Sequence, residues 1–387
     1  MPTGPKQPRR DEERAPSAAL GITRTPSERD PRADPHLLDA LTRIAPGTEL
    51  RQAIDDIILS HEGALIVVGE PAELAFLLSG GMQIDQAFRP QLLYELAKMD
   101  GAIIVNNGLT RLAYANVQLM PDPTIASNET GTRHRTAERV AKQTGALVIS
   151  ISQQRETVTI FLGHARYQLD KIAAMLAKSN QALATLDTYR QRLEQVLTRL
   201  TALEFQNAVV LDDVLVVLQR AEMMTRMAEE VERDCVELGT EGRLIRLQLE
   251  ELFGEVPAEK ATVVRDYHSS GEPSEARAAN AALARLPYHE LLGFEVLTEL
   301  LGYPRTANPL DYSVAPRGYR ALSHIPRLSK GVIGKVVSGF EGLESIVRAS
   351  HRELEAVDGV GPTRAREIRE GLRRLQEHNL VDRYLQL

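Results

Sequence analysis

Apolar residues follow two alternating patterns between residues 36 and 165. Leu50, Ile54 and Ile57 have the spacing of one helix face, and residues 64–68 form an apolar run typical of a buried strand. Similar patterns predict further helices at residues 73–79, 91–99 and 133–143. They predict further strands at residues 102–106, 111–117, 147–152 and 157–162. This alternation indicates a mixed-sheet α/β domain over residues 36–165.

A continuous helical pattern begins near residue 166. Apolar side chains recur at helical spacing along residues 186–203 and 214–227, and no proline interrupts the chain from residue 166 to Pro257. Such a long amphipathic pattern is typical of a helical bundle. We therefore expect an all-α spine over residues 166–316.

Three apolar positions repeat after Pro316 with an offset of 32 residues. They are Leu322, Ile325 and Leu328 in the first copy and Leu354, Val357 and Val360 in the second. Each copy predicts a short helix, a tight turn and a second helix, which gives a tandem pair of hairpins over residues 317–387. The second turn contains Gly359 and Gly361, which let the backbone approach a ligand closely. The first turn has Arg327 and Ser329 instead, so its amide cradle is in doubt.

The formal net charge is −7, but charge is unevenly distributed. Residues 317–387 carry 13 Lys and Arg against 9 Asp and Glu, whereas residues 36–316 have a balance of −12. Turn amides and a helix N-terminus bind anions, so this basic module is expected to bind a polyanion. The residues expected to contact its anionic groups are Arg327, Lys330, Gly359, Gly361, Arg364 and Arg366. A helical protein–protein module is the alternative.

Residues 1–35 are rich in proline and charge and contain few apolar positions. Such a segment cannot bury enough apolar surface to offset its ordering entropy, which predicts a disordered tail. A basic interaction arm is the alternative. No apolar run approaches the roughly 18 residues of a membrane span, and no signal-peptide pattern is present. The single cysteine, Cys235, excludes an intrachain disulfide framework, so we expect a cytoplasmic protein.

Two stretches of the α/β domain carry candidate chemistry. Asp100-Gly101-Ala102 places a carboxylate and a glycine at the start of a predicted strand, although Asp-Gly is also common in turns. Residues 131–136 open a predicted helix with two arginines, a histidine and two threonines. Cations at this end oppose the helix dipole unless an anion is bound, so a polyphosphate ligand is expected. A solvated basic helix start that pairs with Glu129 and Glu138 is the alternative.

A metal-binding carboxylate and a phosphate cradle in one domain suggest phosphoryl or nucleotidyl transfer. The chain has no P-loop and no kinase signature set. The pair Asp100-Gly101-Ala102 and Gly131-Thr-Arg-His-Arg-Thr-Ala-Glu-Arg139 is the signature of diadenylate cyclases. The chain resembles that family over residues 36–387, and its C-terminal repeats resemble the helix-hairpin-helix module of DNA repair and recombination proteins.

The resemblance implies that two ATP molecules are condensed into cyclic di-AMP with release of pyrophosphate. It implies that Asp100 binds Mg²⁺, with Mn²⁺ as the plausible substitute, and helps to activate the attacking 3′-hydroxyl. It also implies that Gly101 and Leu119 line the nucleotide site. The residues that would hold the phosphates are Thr132, Arg133, His134, Arg135 and Thr136. Further candidates are residues 127–129 and 152–155.

The resemblance also implies partners. Two cyclase domains must face each other, within a homo-octamer, and branched or double-stranded DNA on the hairpins would lower synthesis. Nucleoid association in the cytoplasm follows from that interaction. A non-enzymatic, nucleotide-sensing DNA-binding scaffold is the main alternative. A glycosylase or nuclease would need a catalytic constellation near the hairpins, and the residues around Asp358 and Lys330 form none.

Overall fold

The computed structural model describes residues 30–306 and 308–385, with side chains described to residue 377. Residues 1–29 of the predicted tail lie outside the described residues. Residues 30–35 correct the predicted tail boundary, because Pro31–Ala33 form a 3₁₀ turn and a helix begins at Pro35. Within this turn, Arg32 is buried against Asp234, 202 residues away in sequence. These six residues therefore belong to the folded body of the chain.

Eight strands of the described residues form one sheet. They are β1 (Ala64–Val68), β2 (Leu78–Ser79), β3 (Met82–Ala87), β4 (Ala102–Val105), β5 (Arg111–Leu119), β6 (Leu147–Ser152), β7 (Thr157–Leu162) and β8 (Ala165–Gln168). The order is β2-β5-β4-β1-β6-β7-β8, and β3 also pairs with β5. Strands β1 and β4 are parallel, and the other pairs are antiparallel. The predicted mixed-sheet α/β domain is confirmed.

Helices cover both faces of this sheet. They are α1 (Pro35–Arg43), α2 (Glu49–Leu59), α3 (Pro71–Leu74), α4 (Pro90–Ala97) and α5 (Thr132–Thr144). Alternate residues of β1 serve the two faces: Ile66 packs with α1, α2 and α4, whereas Val67 packs with α5. Because β1 is buried along its whole length, the sequence shows it as a continuous apolar run.

Some elements differ from the sequence predictions. The helix predicted at residues 73–79 is divided into α3, a 3₁₀ turn at Ala75–Leu77 and strand β2. Strands β3 and β8 were not predicted, because their side chains are mostly exposed or half-buried and show no apolar run. Strand β8 extends to Gln168, so the helical pattern begins later than residue 166.

A helical region follows the sheet domain. Its helices are α6 (Ile172–Gln206), α7 (Leu211–Leu238), α8 (Arg243–Phe253), α9 (Val256–Tyr267), α10 (Pro273–Arg285), α11 (Tyr288–Leu291) and α12 (Phe294–Leu300). They share one apolar core in which Leu186, Leu193 and Leu200 of α6 pack with α7. The 35 residues of α6 span about 52 Å at 1.5 Å per residue. We call α6–α12 the spine.

The C-terminal residues form a separate small core. Its helices are α13 (Tyr319–Ser323), α14 (Lys330–Gly339), α15 (Leu343–Arg348), α16 (His351–Glu355) and α17 (Pro362–Leu385). The two repeats form equivalent turns: Arg327 has φ 68° and Gly359, 32 positions later, has φ 83°. The first hairpin thus has the same left-handed backbone conformation at this turn position as the second, although its residue is an arginine and not a glycine.

Candidate active site

Asp100 and Gly101 lie where β4 begins, beside β5. Gly101 has φ +91°, and a Cβ there would lie 2.9 Å from the backbone of Asn116 and Val117. Only glycine fits this close approach without displacing β5. Asp100 is exposed and makes no hydrogen bond or ion pair with any residue that the structure describes. Its carboxylate is therefore free to bind a ligand.

The sheet register brings Arg133 to the same edge. Strands β1 and β4 are parallel and adjacent, and Ala102 at the start of β4 pairs with Leu65, the second residue of β1, so the two strands begin at the same edge of the sheet, about 4.8 Å apart. Arg133 donates from Nη1 to the carbonyl oxygen of Ile151 at 3.2 Å. The same Nη1 lies 2.1 Å from the position that a Cβ on Gly63 would take, directly before β1. The glycine at position 63 therefore leaves the space that the Arg133 guanidinium occupies at the edge where β1 begins.

The N-terminus of α5 is an open anion site. Gly131 occupies the N-cap position without a side-chain cap, and the first turn contains no acidic residue. The first N–H groups of a helix have no partner within the helix. Thr132, Arg133 and Arg135 are exposed around these amides. This geometry supports a phosphate ligand more than it supports a helix start paired with carboxylates.

The predicted carboxylate partners of this helix start serve other contacts. Glu138 is buried, accepts hydrogen bonds from the Ser127 hydroxyl and the Asn128 amide, and pairs with Lys142 at 2.7 Å. These bonds hold the loop before α5 against the helix. Arg135 donates to the carbonyl oxygen of Thr130 at 3.1 Å, so its guanidinium also braces this loop.

His134 is half-buried beneath the helix start. Its Nδ1 lies 3.5 Å from the Ser150 hydroxyl, and its ring meets the edge of Phe161 at 6.3 Å between centroids. These contacts position the ring on the sheet. Ser150 was not among the predicted site residues, because it lies inside a buried strand pattern that marks it only as core.

Burial is the main reason that the pKa of His134 is lowered. The carboxylate of Glu129 opposes this shift. The guanidinium groups that reinforce it belong to Arg133, Arg155 and Arg166. The imidazole is therefore neutral at neutral pH, with one ring nitrogen to donate and one to accept. Arg166 was missed in the sequence, because the exposed strand β8 gives no apolar pattern.

The remaining predicted nucleotide residues lie near this edge. Leu119 ends β5 and is buried at 8% exposure, paired with Leu78 of β2. Because Ala102 pairs with Val117 in antiparallel strands, Leu119 and Asp100 lie toward the same edge. Thr136 is half-buried on the second turn of α5. The nucleotide-binding role of both residues stays a prediction.

The predicted DNA-binding residues lie on the two hairpin turns. Arg327, Lys330 and Arg366 are exposed. Arg364 donates to the carbonyl oxygen of Gly359 at 2.7 Å and so braces the second turn. The Ser329 hydroxyl caps α14, whereas the equivalent Gly361 has no side chain with which to cap α17. The second hairpin therefore has the more open helix start.

The two hairpins are also joined to each other by a side-chain contact. Lys335 of α14 lies 2.6 Å from the carboxylate of Asp358, in the turn of the second hairpin. This pair is exposed, so it contributes little stability. It links α14 to the turn of the second hairpin.

Two family models match the chain. The model described as DisA bacterial checkpoint controller nucleotide-binding matches residues 51–165. The model described as DisA bacterial checkpoint controller linker region matches residues 169–310. The boundary between the two matches falls at β8, where the sheet domain meets the spine.

Curated relatives match over nearly their whole lengths. The DNA integrity scanning protein DisA of Symbiobacterium thermophilum is 48% identical over 345 residues, which cover 89% of this chain and 97% of that protein. That of Carboxydothermus hydrogenoformans is 46% identical over 344 residues, with 89% and 98% covered. That of a Parafrankia species is 46% identical over 350 residues, with 89% and 96% covered. Within the described part of the chain, no helix is both long and apolar enough to span a bilayer.

Proposed function

Because the chain belongs to the family of DNA integrity scanning proteins and is a diadenylate cyclase, we propose that its sheet edge at β1 and β4 holds one ATP and condenses it with the ATP of a facing subunit. The observation that carries this proposal is the register of the sheet. It brings the free carboxylate of Asp100 and the uncapped, arginine-flanked start of α5 to one edge.

Each protein group has a distinct task in this scheme. The amides of Thr132, Arg133 and His134 and the Arg133 guanidinium bind and orient the phosphates. Asp100 holds the 3′-hydroxyl of one ATP and favours loss of the hydroxyl proton as the 3′-oxygen attacks the α-phosphorus of the other ATP. That phosphorus forms a bond to the 3′-oxygen and breaks its bond to pyrophosphate. A second, reciprocal step closes the ring and releases a second pyrophosphate.

The reciprocity requires two sites that face each other. One ATP at one edge cannot present both a 3′-hydroxyl and an α-phosphorus to itself in the required geometry. An isologous twofold contact between two cyclase domains supplies both pairs of reacting atoms. The exposure of Asp100, Thr132 and Arg135 supports this arrangement, since a second domain can reach them. The octamer implied by the family resemblance would hold such pairs together.

The protein offers few ligands for a metal ion. Among residues 30–306 and 308–385, no group of three or more His, Cys, Asp or Glu is arranged to hold one. Mg²⁺ often binds through one or two carboxylates together with substrate phosphates, so Asp100 and the ATP phosphates fit it. Mn²⁺ accepts the same oxygen ligands. When bound, the ion would neutralise phosphate charge and polarise the attacking hydroxyl.

We propose further that the C-terminal hairpins are helix-hairpin-helix units that bind branched DNA and thereby lower cyclase output. The equivalent left-handed turns at Arg327 and Gly359 support this, as do the exposed cations beside them. Contacts to phosphates carry no sequence information, so binding would follow DNA shape. A cytoplasmic protein associated with the nucleoid is the expected cellular state.

Substitution of Asp100 tests the cyclase site. Purified protein is incubated with ATP and Mg²⁺ or Mn²⁺, and products are resolved by mass spectrometry. We expect cyclic di-AMP from the unmodified chain and a loss of at least about 100-fold for Asp100→Asn. Asp85→Asn is the matched control: Asp85 is exposed in the same sheet with φ 51°, which asparagine tolerates.

ATP that binds without conversion under both metals would contradict the proposal and favour the nucleotide-sensing scaffold. Equal activity of Asp100→Asn and Asp85→Asn would agree with cyclase activity but would contradict a catalytic role for Asp100.

Substitution of the hairpin cations tests DNA binding. Binding of a four-way junction is followed by fluorescence anisotropy at several salt concentrations. We expect Lys330→Ala and Arg366→Ala each to reduce the salt slope by about 0.9. Lys178→Ala, an exposed lysine on α6 paired with Glu230, is the control and should change nothing. Unchanged slopes for the hairpin variants would place the DNA contact elsewhere.

A further inference from the structure

Strand β8 lies between the spine and the loop that precedes α5. It has only four residues, pairs with β7 on one side and ends the sheet. The chain continues from it into α6 at Ile172. Successive side chains of a strand point to opposite faces. The adjacent residues Arg166 and Tyr167 therefore contact different parts of the molecule.

Arg166 contacts the phosphate loop. Its Nε pairs with the carboxylate of Glu129, two residues before the N-cap Gly131 of α5. The Glu129 side chain is 17% exposed and that of Arg166 is 48% exposed. Arg166 is also close enough to influence the imidazole of His134 electrostatically. The pair thus fixes the loop whose end forms the proposed phosphate site.

Tyr167 contacts the spine. Its hydroxyl donates to Oε2 of Glu237, on α7, at 2.6 Å. Burial raises the pKa of Tyr167, and the Glu237 carboxylate raises it further, so the hydroxyl stays protonated and remains a donor. The guanidinium of Arg32 approaches the same carboxylate oxygen at 3.6 Å. One hydroxyl thereby ties β8 to α7 at a buried ion cluster.

We propose that β8 couples the spine to the cyclase site, with Arg166 as a positioning residue that acts through Glu129 and Tyr167 as the anchor on α7. A shift of α7 relative to the sheet would move Tyr167, and the adjacent Arg166 would move with it. Glu129 and the start of α5 would then lose their alignment with the phosphates. This inference rests on the proposed function, because the cyclisation rate is its readout.

A double-mutant cycle tests the positioning role. Arg166→Ala and Glu129→Ala are compared with the double variant by kcat and KM for cyclic di-AMP formation. Because the two side chains act as one pair, we expect each single change to lower kcat/KM about tenfold and the double change to lower it no further. Arg166→Lys should restore part of the loss, and Arg111→Ala, which breaks a similar exposed strand pair with Asp85, should leave the rate unchanged.

If the fold-loss in kcat/KM of the double variant equals the product of the two single losses, the positioning role is overturned, because Arg166 and Glu129 then act on the nucleotide independently. The absence of any loss in Arg166→Ala would overturn it as well.

Removal of one hydroxyl tests the anchor. Tyr167→Phe keeps the ring and deletes the bond to Glu237, whereas Tyr303→Phe deletes a similar hydroxyl bond inside the spine, to the carbonyl oxygen of Tyr267 at 2.8 Å. Both variants should keep the basal rate and the affinity for a four-way junction. We expect the fold-inhibition by saturating junction to fall at least about threefold in Tyr167→Phe alone, the effect of one lost hydrogen bond.

Equal inhibition of the unmodified chain and Tyr167→Phe, with DNA bound to both, would overturn the anchor. If bound DNA does not change the rate of the unmodified chain, both DNA regulation and the anchor role of Tyr167 are overturned. The double-mutant cycle would still decide the role of Arg166 in that case, so the two failures are distinguishable.

Discussion

The spine has a buried ion network at each end, and the two networks differ in the groups that they bond. At the hairpin end, Arg320 of α13 is 2% exposed and its guanidinium pairs with Glu204 at the end of α6. It also donates to the Thr201 hydroxyl at 2.6 Å and to Glu259 at 3.1 Å. The Tyr267 hydroxyl donates to Glu204 at 2.8 Å. Each ion therefore has several partners.

A second carboxylate completes the hairpin end. Asp266, at the end of α9, is fully buried and accepts hydrogen bonds from the backbone amides of Gly318, Tyr319 and Arg320, each at 2.7 Å. These are the amides at the start of α13, so the spine supplies the cap for the first hairpin helix. The module is joined to the spine by backbone as well as side-chain bonds.

The network at the cyclase end joins side chain to side chain, and it includes Asp30, which pairs with both Arg32 and Arg233. Arg32 pairs with Asp234 of α7 at 2.5 Å, and the Ser179 hydroxyl donates to the same carboxylate at 3.1 Å. Glu237 accepts from Tyr167, but its Oε1 is buried without a normal hydrogen bond to the described residues. A buried acceptor without a partner costs about 1–3 kcal/mol.

The difference indicates which end of the spine changes geometry more easily. A network that bonds the backbone amides of a helix start holds two elements in one geometry, whereas a network that joins side chain to side chain changes geometry at smaller cost. The hairpins should therefore move with the spine, and adjustment should occur between the spine and the sheet domain. This is the end at which β8 lies.

The largest effect is expected from breaking the hairpin end. Arg320→Met removes the charge and leaves Glu204 buried without its main partner, which should lower the free energy of unfolding by about 3–5 kcal/mol. Arg305→Met is the matched control, because Arg305 is exposed and, among the residues that the structure describes, pairs only with Glu299; its loss should stay below about 1 kcal/mol. Urea unfolding followed by circular dichroism measures both. Similar losses in the two variants would remove the contrast between buried and exposed pairs.

A smaller effect is expected at the cyclase end. Arg32→Met removes the bonds to Asp30 and Asp234 and the ion pair with Glu237, and we expect it to lower the free energy of unfolding by about 1.5–3 kcal/mol under the same conditions. The loss should be smaller than that of Arg320→Met, because Arg233 still pairs with Asp30 and Lys178 still pairs with Asp234, so both carboxylates keep a cation. An equal or larger loss would reverse the proposed order of the two junctions.

A pH series sharpens the account of the hairpin end. Burial raises the pKa of Asp266 from 3.8 to about 7, and the nearby Glu204 carboxylate contributes to the increase. The folded state therefore holds a proton that the unfolded state loses between about pH 4 and pH 7. This group's contribution to stability consequently falls as pH rises through that window, by about 1.4 kcal/mol for each pH unit.

Asp266→Asn removes this titration while keeping an oxygen to accept amide bonds. The difference in Tm between the unmodified chain and the variant should change in favour of the variant from pH 4 to pH 7. A difference that is constant across the range would show that Asp266 titrates alike in both states.

The smallest effect is expected within the hairpins, away from either junction. Arg327 has φ 68°, a conformation that costs a non-glycine residue about 1–2 kcal/mol. Arg327→Gly relieves this strain but adds unfolded-state entropy, so we expect a net gain of about 0.5 kcal/mol. Binding of a four-way junction should weaken, because one exposed cation is lost. A loss of stability would mean that the arginine side chain makes its own favourable contacts.

The buried elements could be predicted from the sequence, and the exposed ones could not. The apolar runs at β1, β6 and β7 mark strands, because both faces of the sheet are covered by helices. Strand β8 has no such run, although it carries Arg166 and Tyr167. Arg32 lies in a polar segment, and its partner Asp234 is too distant in sequence to give a local signal.

The candidate site was predicted as two separate motifs. The residue types around Asp100 and Arg133 suggested a metal and a phosphate, and the family resemblance assigned their roles. Their proximity depends on the parallel pairing of β1 and β4, which no local pattern specifies. The contacts of Arg135 and Glu138 within the loop likewise depend on how the loop folds against α5.

The most direct test of this account measures the initial rate of cyclic di-AMP formation by the full chain at saturating ATP, with and without a saturating four-way DNA junction. Fluorescence anisotropy in the same samples confirms that the DNA is bound. We predict that bound junction lowers the rate at least about fivefold, the lower range of typical coupling between two sites. An unchanged rate with the junction fully bound would contradict the proposed connection from the hairpins through the spine to the cyclase site.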